Sequence, residues 1–152
     1  MTLFHPPFSE ERAFSAVLLS WLTAQMIKLI LGGIRKKRFD VRWIFDTGGM
    51  PSAHSATVSS LATVAGLYYG FNSIVFLIVL IFSIITMFDA AGVRRSVGRQ
   101  AGILNKMLDD LYERRQVPEQ RLKELLGHTP VEVFAGAFLG IGMAYLFCGV
   151  RS

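Results

Sequence analysis

The sequence has little of what holds a small soluble protein together. A single cysteine, Cys148, excludes a disulfide framework and a metal-thiolate centre. Charged residues are only 18% of the 152 and fall in blocks, so that few of them interrupt residues 13–34, 53–88 or 133–150. Acidic residues are the scarcer sign, 11 against 16 Lys and Arg. That excess of positive charge does not read as a nucleic-acid surface, because the basic residues flank apolar runs, and basic loops beside membrane spans are the simpler account. No cleavable leader is expected: residues 1–12 hold two prolines and three charged residues before hydrophobicity begins, so the first apolar run reads as a retained span.

Apolar sequence is what the chain has in quantity, 52% of residues with a mean hydropathy of +0.44. Confined to long runs, it predicts one all-α membrane domain over residues 1–152, with about four transmembrane helices and an amphipathic helical hairpin. The spans fall near 13–34, 53–69, 72–92 and 132–150, and the interfacial segments are 35–52 and 93–131. Ser9 followed by Glu10 and Glu11 makes a helix start. The second span is rich in Ala, Ser, Thr and Gly, a composition that marks close helix packing. Tyr68, Tyr69 and Phe71 close it as an interfacial cluster, and Gly70 to Ser73 is a tight hairpin. In 93–131, Ile103, Leu104, Met107, Leu108 and Leu111 recur at helical spacing, Val117-Pro118 breaks the pattern, and a short helix resumes from Glu119 to Leu126. Gly136, Gly140 and Gly142 are expected to let the last span pack tightly.

The loop 35–52 carries five Lys or Arg and the segment 93–131 carries eight, against one in residues 1–12. The positive-inside rule puts both basic segments on the cytoplasmic face of a plasma membrane, with both termini outside. His54, Arg94, Arg95, His128 and Arg35 then all lie at span ends on that face. The stretch Gly48-Gly49-Met50-Pro51-Ser52-Ala53-His54-Ser55 is a glycine and proline turn running into a helix N-terminus, a setting suited to phosphate. Lys28 and Arg35, seven apart, share one helical face and are placed to clamp it. Asp89, one turn before Arg94 and Arg95, is expected to pair with one of them or to be drawn into the site. Cations, two histidines and a serine at one depth suit a phosphate monoester or diphosphate headgroup.

Three blocks carry a resemblance. Lys28-x6-Arg35, Pro51-Ser52-Ala53-His54 and His128-x-Pro130-x-Glu132-Val133-x-Ala135-Gly136 resemble the signature of the type 2 phosphatidic acid phosphatases, a superfamily that includes the vanadium haloperoxidases. Over nearly the whole chain the sequence is most similar to the compact divergent PAP2 branch, of which Asp89-Ala-Ala-Gly-Val-Arg-Arg and Leu126-Gly-His-Thr-Pro-Val-Glu-Val look typical. The resemblance implies a phosphatase acting on a phospholipid or polyprenyl phosphate, with no metal or other cofactor. It implies His128 as nucleophile, Glu132 as the group that orients it, and His54 as acid and then base. Lys28, Arg35, Ser52 and the amides after Pro51 would hold the phosphoryl oxygens. Four positions depart from the pattern. Lys36 follows Arg35 where proline is usual, Ala53 replaces a glycine, and Glu132 replaces an aspartate. Leu122 stands where an arginine is usual, a charge that Arg94 or Arg95 could supply from another span, since Arg121 points about 100° away. The rival expectation is a headgroup-binding or lipid-transport protein without turnover. A metal-dependent phosphatidyltransferase is disfavoured, because Asp89-Ala-Ala-Gly-Val-Arg94 matches only the opening of its motif and the further aspartates do not follow in that motif's pattern. A chain of four spans rich in small residues is expected to pair with a second copy.

Overall fold

The computed structural model describes residues 7–36, 49–112 and 128–149. Among these the chain is all helical: α1 Glu10–Lys36, α2 Ala53–Tyr69, α3 Ile74–Ala91, α4 Val93–Tyr112 and α5 Pro130–Cys148. α1 starts where Ser9 places it, with the Arg12 N–H 3.4 Å from the Ser9 hydroxyl and Glu10 and Glu11 in the first turn, where the helix dipole favours negative charge. Its 27 residues run on through Lys36, so Arg35 lies in the last turn of a helix and not in the loop expected to begin there. The interfacial piece around Val41, Trp43, Ile44 and Phe45, and the short helix Glu119 to Leu126, lie outside the described residues.

The polarity of this bundle is the reverse of a soluble core. The largest fully buried side chains are serines, Ser20, Ser52, Ser55, Ser60 and Ser83, while Phe14, Ile74, Phe88 and Phe138 are each at least two-thirds exposed. Such an exterior suits lipid, and among the described residues three helices (α1, α3 and α5) are long and apolar enough to cross a membrane. α2 is the helix the others enclose, in contact with α1, α3 and α5. Its buried positions run from Ala53 to Gly66 and include no residue larger than valine. Two of these buried hydroxyls find carbonyls, Ser20 Oγ donating to Ala56 O at 3.0 Å and Ser83 Oγ to Val58 O at 2.9 Å. In hydrocarbon such bonds replace those that water cannot supply.

α5 meets α2 through two of the three glycines expected to pack. A Cβ at Gly136 would collide with the Ser52 carbonyl oxygen, and one at Gly140 with the Ala56 carbonyl oxygen. Gly142 is not part of this seam; a Cβ there meets nothing within 4 Å, because it faces away from α2. At the far end, Gly70 turns the chain with φ +92°, Ser73 N–H donates to Gly70 O at 3.0 Å, and the Ser73 hydroxyl caps α3. Of the aromatic cluster expected there, Tyr68 packs against Tyr69 at 4.8 Å and against Phe8 at 5.2 Å between ring centroids, while Phe71 packs against Phe76 at 5.1 Å.

Candidate functional site

Three helix ends converge opposite that hairpin. Thr129 caps α5, its hydroxyl accepting the Glu132 N–H at 3.4 Å, while the Glu132 carboxylate accepts the Thr129 N–H at 2.9 Å. This is a reciprocal capping box, with Pro130 at the first helical position, where a missing N–H costs nothing. The same oxygen, Glu132 Oε2, lies 3.1 Å from His128 Nδ1. His128 itself is 2% exposed, and its N–H donates to the Ala90 carbonyl at the end of α3, at 3.1 Å. The residue is thus held at its backbone by Ala90 and at its ring by Glu132. A neutral imidazole whose Nδ1 faces a carboxylate carries its proton there, which leaves the Nε2 lone pair for chemistry.

The N-terminus of α2 docks on the same turn. Ser52 N–H donates to the Glu132 carbonyl at 3.0 Å, and the Ser52 hydroxyl accepts the Ser55 N–H at 3.4 Å as the helix cap. Ser52 is fully buried. His54, exposed on the first turn of α2, faces His128 with ring centroids 6.4 Å apart at 61°. Lys28 is buried in α1 at 8% exposure, and its stem passes Gly49, where a Cβ would stand 3.3 Å from Lys28 Cε. Gly49 has φ +103°, a conformation that suits glycine and brings the turn over Lys28.

His128, His54, Glu132, Ser52 and Lys28 are therefore brought together. Arg35 follows Lys28 by seven residues on the same helix, about 10 Å along its axis, and Arg94 and Arg95 open α4 one turn past Ala90. The side chains of these three arginines, and all of Arg121 and Leu122, lie outside what the structure describes. So do the expected partners of Asp89, which is exposed in the last turn of α3. The methyl of Ala53 is buried with Ala24 and Ala56 against Leu139, so helix packing takes it up and it does not stand over the turn. Two parts of the site were not expected. Thr129 was legible, since Thr129-Pro130-Val131-Glu132 has the spacing of a capping box. The Ala90 carbonyl was not, because a backbone acceptor has no signature in sequence.

Burial pushes the pKa of His128 below the ordinary histidine value, and the positive fields of Lys28 and His54 push the same way, while Glu132 opposes them. The sign for stability follows. A histidine depressed in the folded state binds protons more readily when unfolded, so its contribution is complete above the ordinary histidine range and is lost as pH falls through the depressed value. We expect the thermal midpoint in detergent to drop as pH is lowered from about 7 to about 5, and to drop less in His128→Asn. An equal slope in both proteins would assign the effect to other groups.

The sequence model of the divergent PAP2 family matches residues 9–143. The chain belongs to that family. It is 41% identical over 145 residues to YuiD of Bacillus subtilis strain 168, named an uncharacterized membrane protein, a match covering 86% of this chain and 92% of YuiD. No solved structure matches. As a divergent PAP2 protein with three helices among the described residues fit to cross a bilayer, it is a membrane protein.

Proposed function

We propose that this divergent PAP2 protein is a membrane lipid-phosphate phosphatase working through a phosphohistidine. The observation that carries the reading is the orientation of His128, its Nδ1 set on Glu132 by a helix cap and its ring 6.4 Å from that of His54. In the first step His128 Nε2 attacks phosphorus, the bond to the leaving oxygen breaks, and His54 gives that oxygen its proton. The imidazolium that forms is stabilised by Glu132. In the second step His54 takes a proton from water, the hydroxide displaces the phosphoryl group from nitrogen, and the neutral His128 returns. Lys28, Arg35 and the first-turn amides of α2 hold the equatorial oxygens, with Arg94 and Arg95 supplying the charge that Leu122 does not. Because the site lies at the ends of bilayer-crossing helices, the substrate is a phosphate carried on a lipid, either a phospholipid or a polyprenyl phosphate. α2 is then a fourth span, the site faces the cytoplasm from the plasma membrane, and two copies pair through small-residue faces.

One observation favours a second reading, a headgroup-binding or transport protein without turnover. Ser52 is fully buried and its N–H is engaged by the Glu132 carbonyl, so it is not poised on a phosphate. Phosphate release from a panel of lipid phosphates in detergent, with EDTA present, separates the two. Release that survives EDTA and is stopped by vanadate supports the phosphatase; binding of the same lipids without release supports the second reading.

A further inference from the structure

α4 is amphipathic in the wrong sense for a helix that packs on a core. Gly98, Ala101 and Asn105, on one face at helical spacing, are buried, while Ile103, Leu104 and Met107 are 56%, 49% and 56% exposed. At about 100° per residue, Ile103 and Met107 stand roughly 140° and 180° around the helix from Gly98. The inward face is small and polar and the outward face is bulky and apolar, the reverse of a surface helix on a soluble protein.

Three observations say what covers that face. First, α4 starts at the end of a membrane-spanning helix: α3 ends at Ala91, α4 begins at Val93, and the Gly92 N–H between them is bonded to the Phe88 carbonyl at 2.7 Å. The last turns of α3 already present Ile85 and Phe88 to lipid, 62% and 75% exposed. Second, α4 is too charged to cross a bilayer itself, with Arg94, Arg95, Arg99 and Lys106 against Asp109 and Asp110. Its net positive charge suits anionic headgroups and repels a second copy of the same face. Third, three half-exposed side chains offer a few hundred Å² at most, well below the roughly 800 Å² per partner that a stable dimer buries.

We infer that α4 lies in the plane of the bilayer interface, with Ile103, Leu104 and Met107 sunk among the acyl chains of the leaflet at whose surface the histidines sit. The helix begins three residues after Ala90, whose carbonyl holds the His128 backbone, so its depth fixes the level of the site against the lipid headgroups. The inference concerns where α4 lies, and it stands whether the site releases phosphate or only binds it.

The test uses the full chain in vesicles of phosphatidylcholine and phosphatidylglycerol, with Trp21→Phe and Trp43→Phe removing the native fluorophores. Met107→Trp and, separately, Ile103→Trp are expected to emit at blue-shifted wavelengths. Lipid brominated near the headgroup end of its chains should quench them several-fold more than aqueous acrylamide does. Lys106→Trp, on the polar side, is expected to show the opposite preference. Two positions on one face guard against a local distortion at either. Strong acrylamide quenching at both would put α4 in water and overturn the inference. Protection from both quenchers, with disulfide crosslinking between copies carrying Met107→Cys, would overturn it in favour of a protein partner.

Discussion

His128→Ala is expected to lower vanadate-sensitive phosphate release by about a thousandfold or more, to the level of the uncatalysed background. No other described group can replace it. His128 is the buried histidine of the cluster, fixed at Nδ1 by Glu132 and at its N–H by Ala90, and Nε2 is the nitrogen left to react. Loss of His54 should cost less, on the order of a hundredfold, because buffer and water can carry protons to an exposed position. Kinetics on the lipid that gives the highest rate would check both. A His128→Ala protein that binds the lipid like the wild type while releasing no phosphate separates chemistry from folding. Retained release in that variant would remove the nucleophile from the account.

The second large effect belongs to a residue that touches no substrate. Gly136→Ala places a methyl against the Ser52 carbonyl oxygen, and 3.0 Å from Ser55 Cβ, in a seam where both neighbours are helix backbone or fully buried. Neither can give way, so α5 must move off α2, at a cost of about 1–3 kcal/mol. The movement would also stretch the bond from Ser52 N–H to the Glu132 carbonyl and carry His128 away from His54. We expect a thermal midpoint several degrees lower and an activity loss larger than the unfolded fraction explains. Gly142→Ala is the control, since its Cβ meets nothing within 4 Å, and its stability should stay within about 0.5 kcal/mol of the wild type. If the two variants melted alike, the seam would not be what sets the approach of these helices.

How far the sequence could be read depended on the kind of signal. Apolar runs near 13–34, 72–92 and 132–150 were legible because a bilayer imposes their length, and α1, α3 and α5 occupy them. α2 was legible by the small residues that a lipid-facing helix does not need. Which small residue meets which neighbour was not. Gly136 and Gly142 look alike in sequence, and only the rotation of α5 about its axis turns one onto α2 and the other out. The extension of α1 through Lys36 was not legible either, because the basic run from Arg35 ends the apolar stretch by which the span was read. In the site, His128 and Glu132 are four apart, as on one helix face, but His128 stands before the Thr129 cap and outside α5, so their contact comes from the capping carboxylate reaching back. The approach of His54 to His128 is a tertiary fact. It was readable only as far as both residues fell at span ends on one side.

The measurement that tests the central claim most directly is trapping of the covalent intermediate. The wild-type protein, incubated with its best lipid phosphate in EDTA and quenched in alkali, should carry one acid-labile phosphoryl group, which peptide mass spectrometry places on His128. His54→Ala should accumulate it if water activation becomes slow, and His128→Ala should carry none. Phosphate found on another residue, or rapid release with no phosphoryl group on His128 in either the wild type or His54→Ala, would contradict the account.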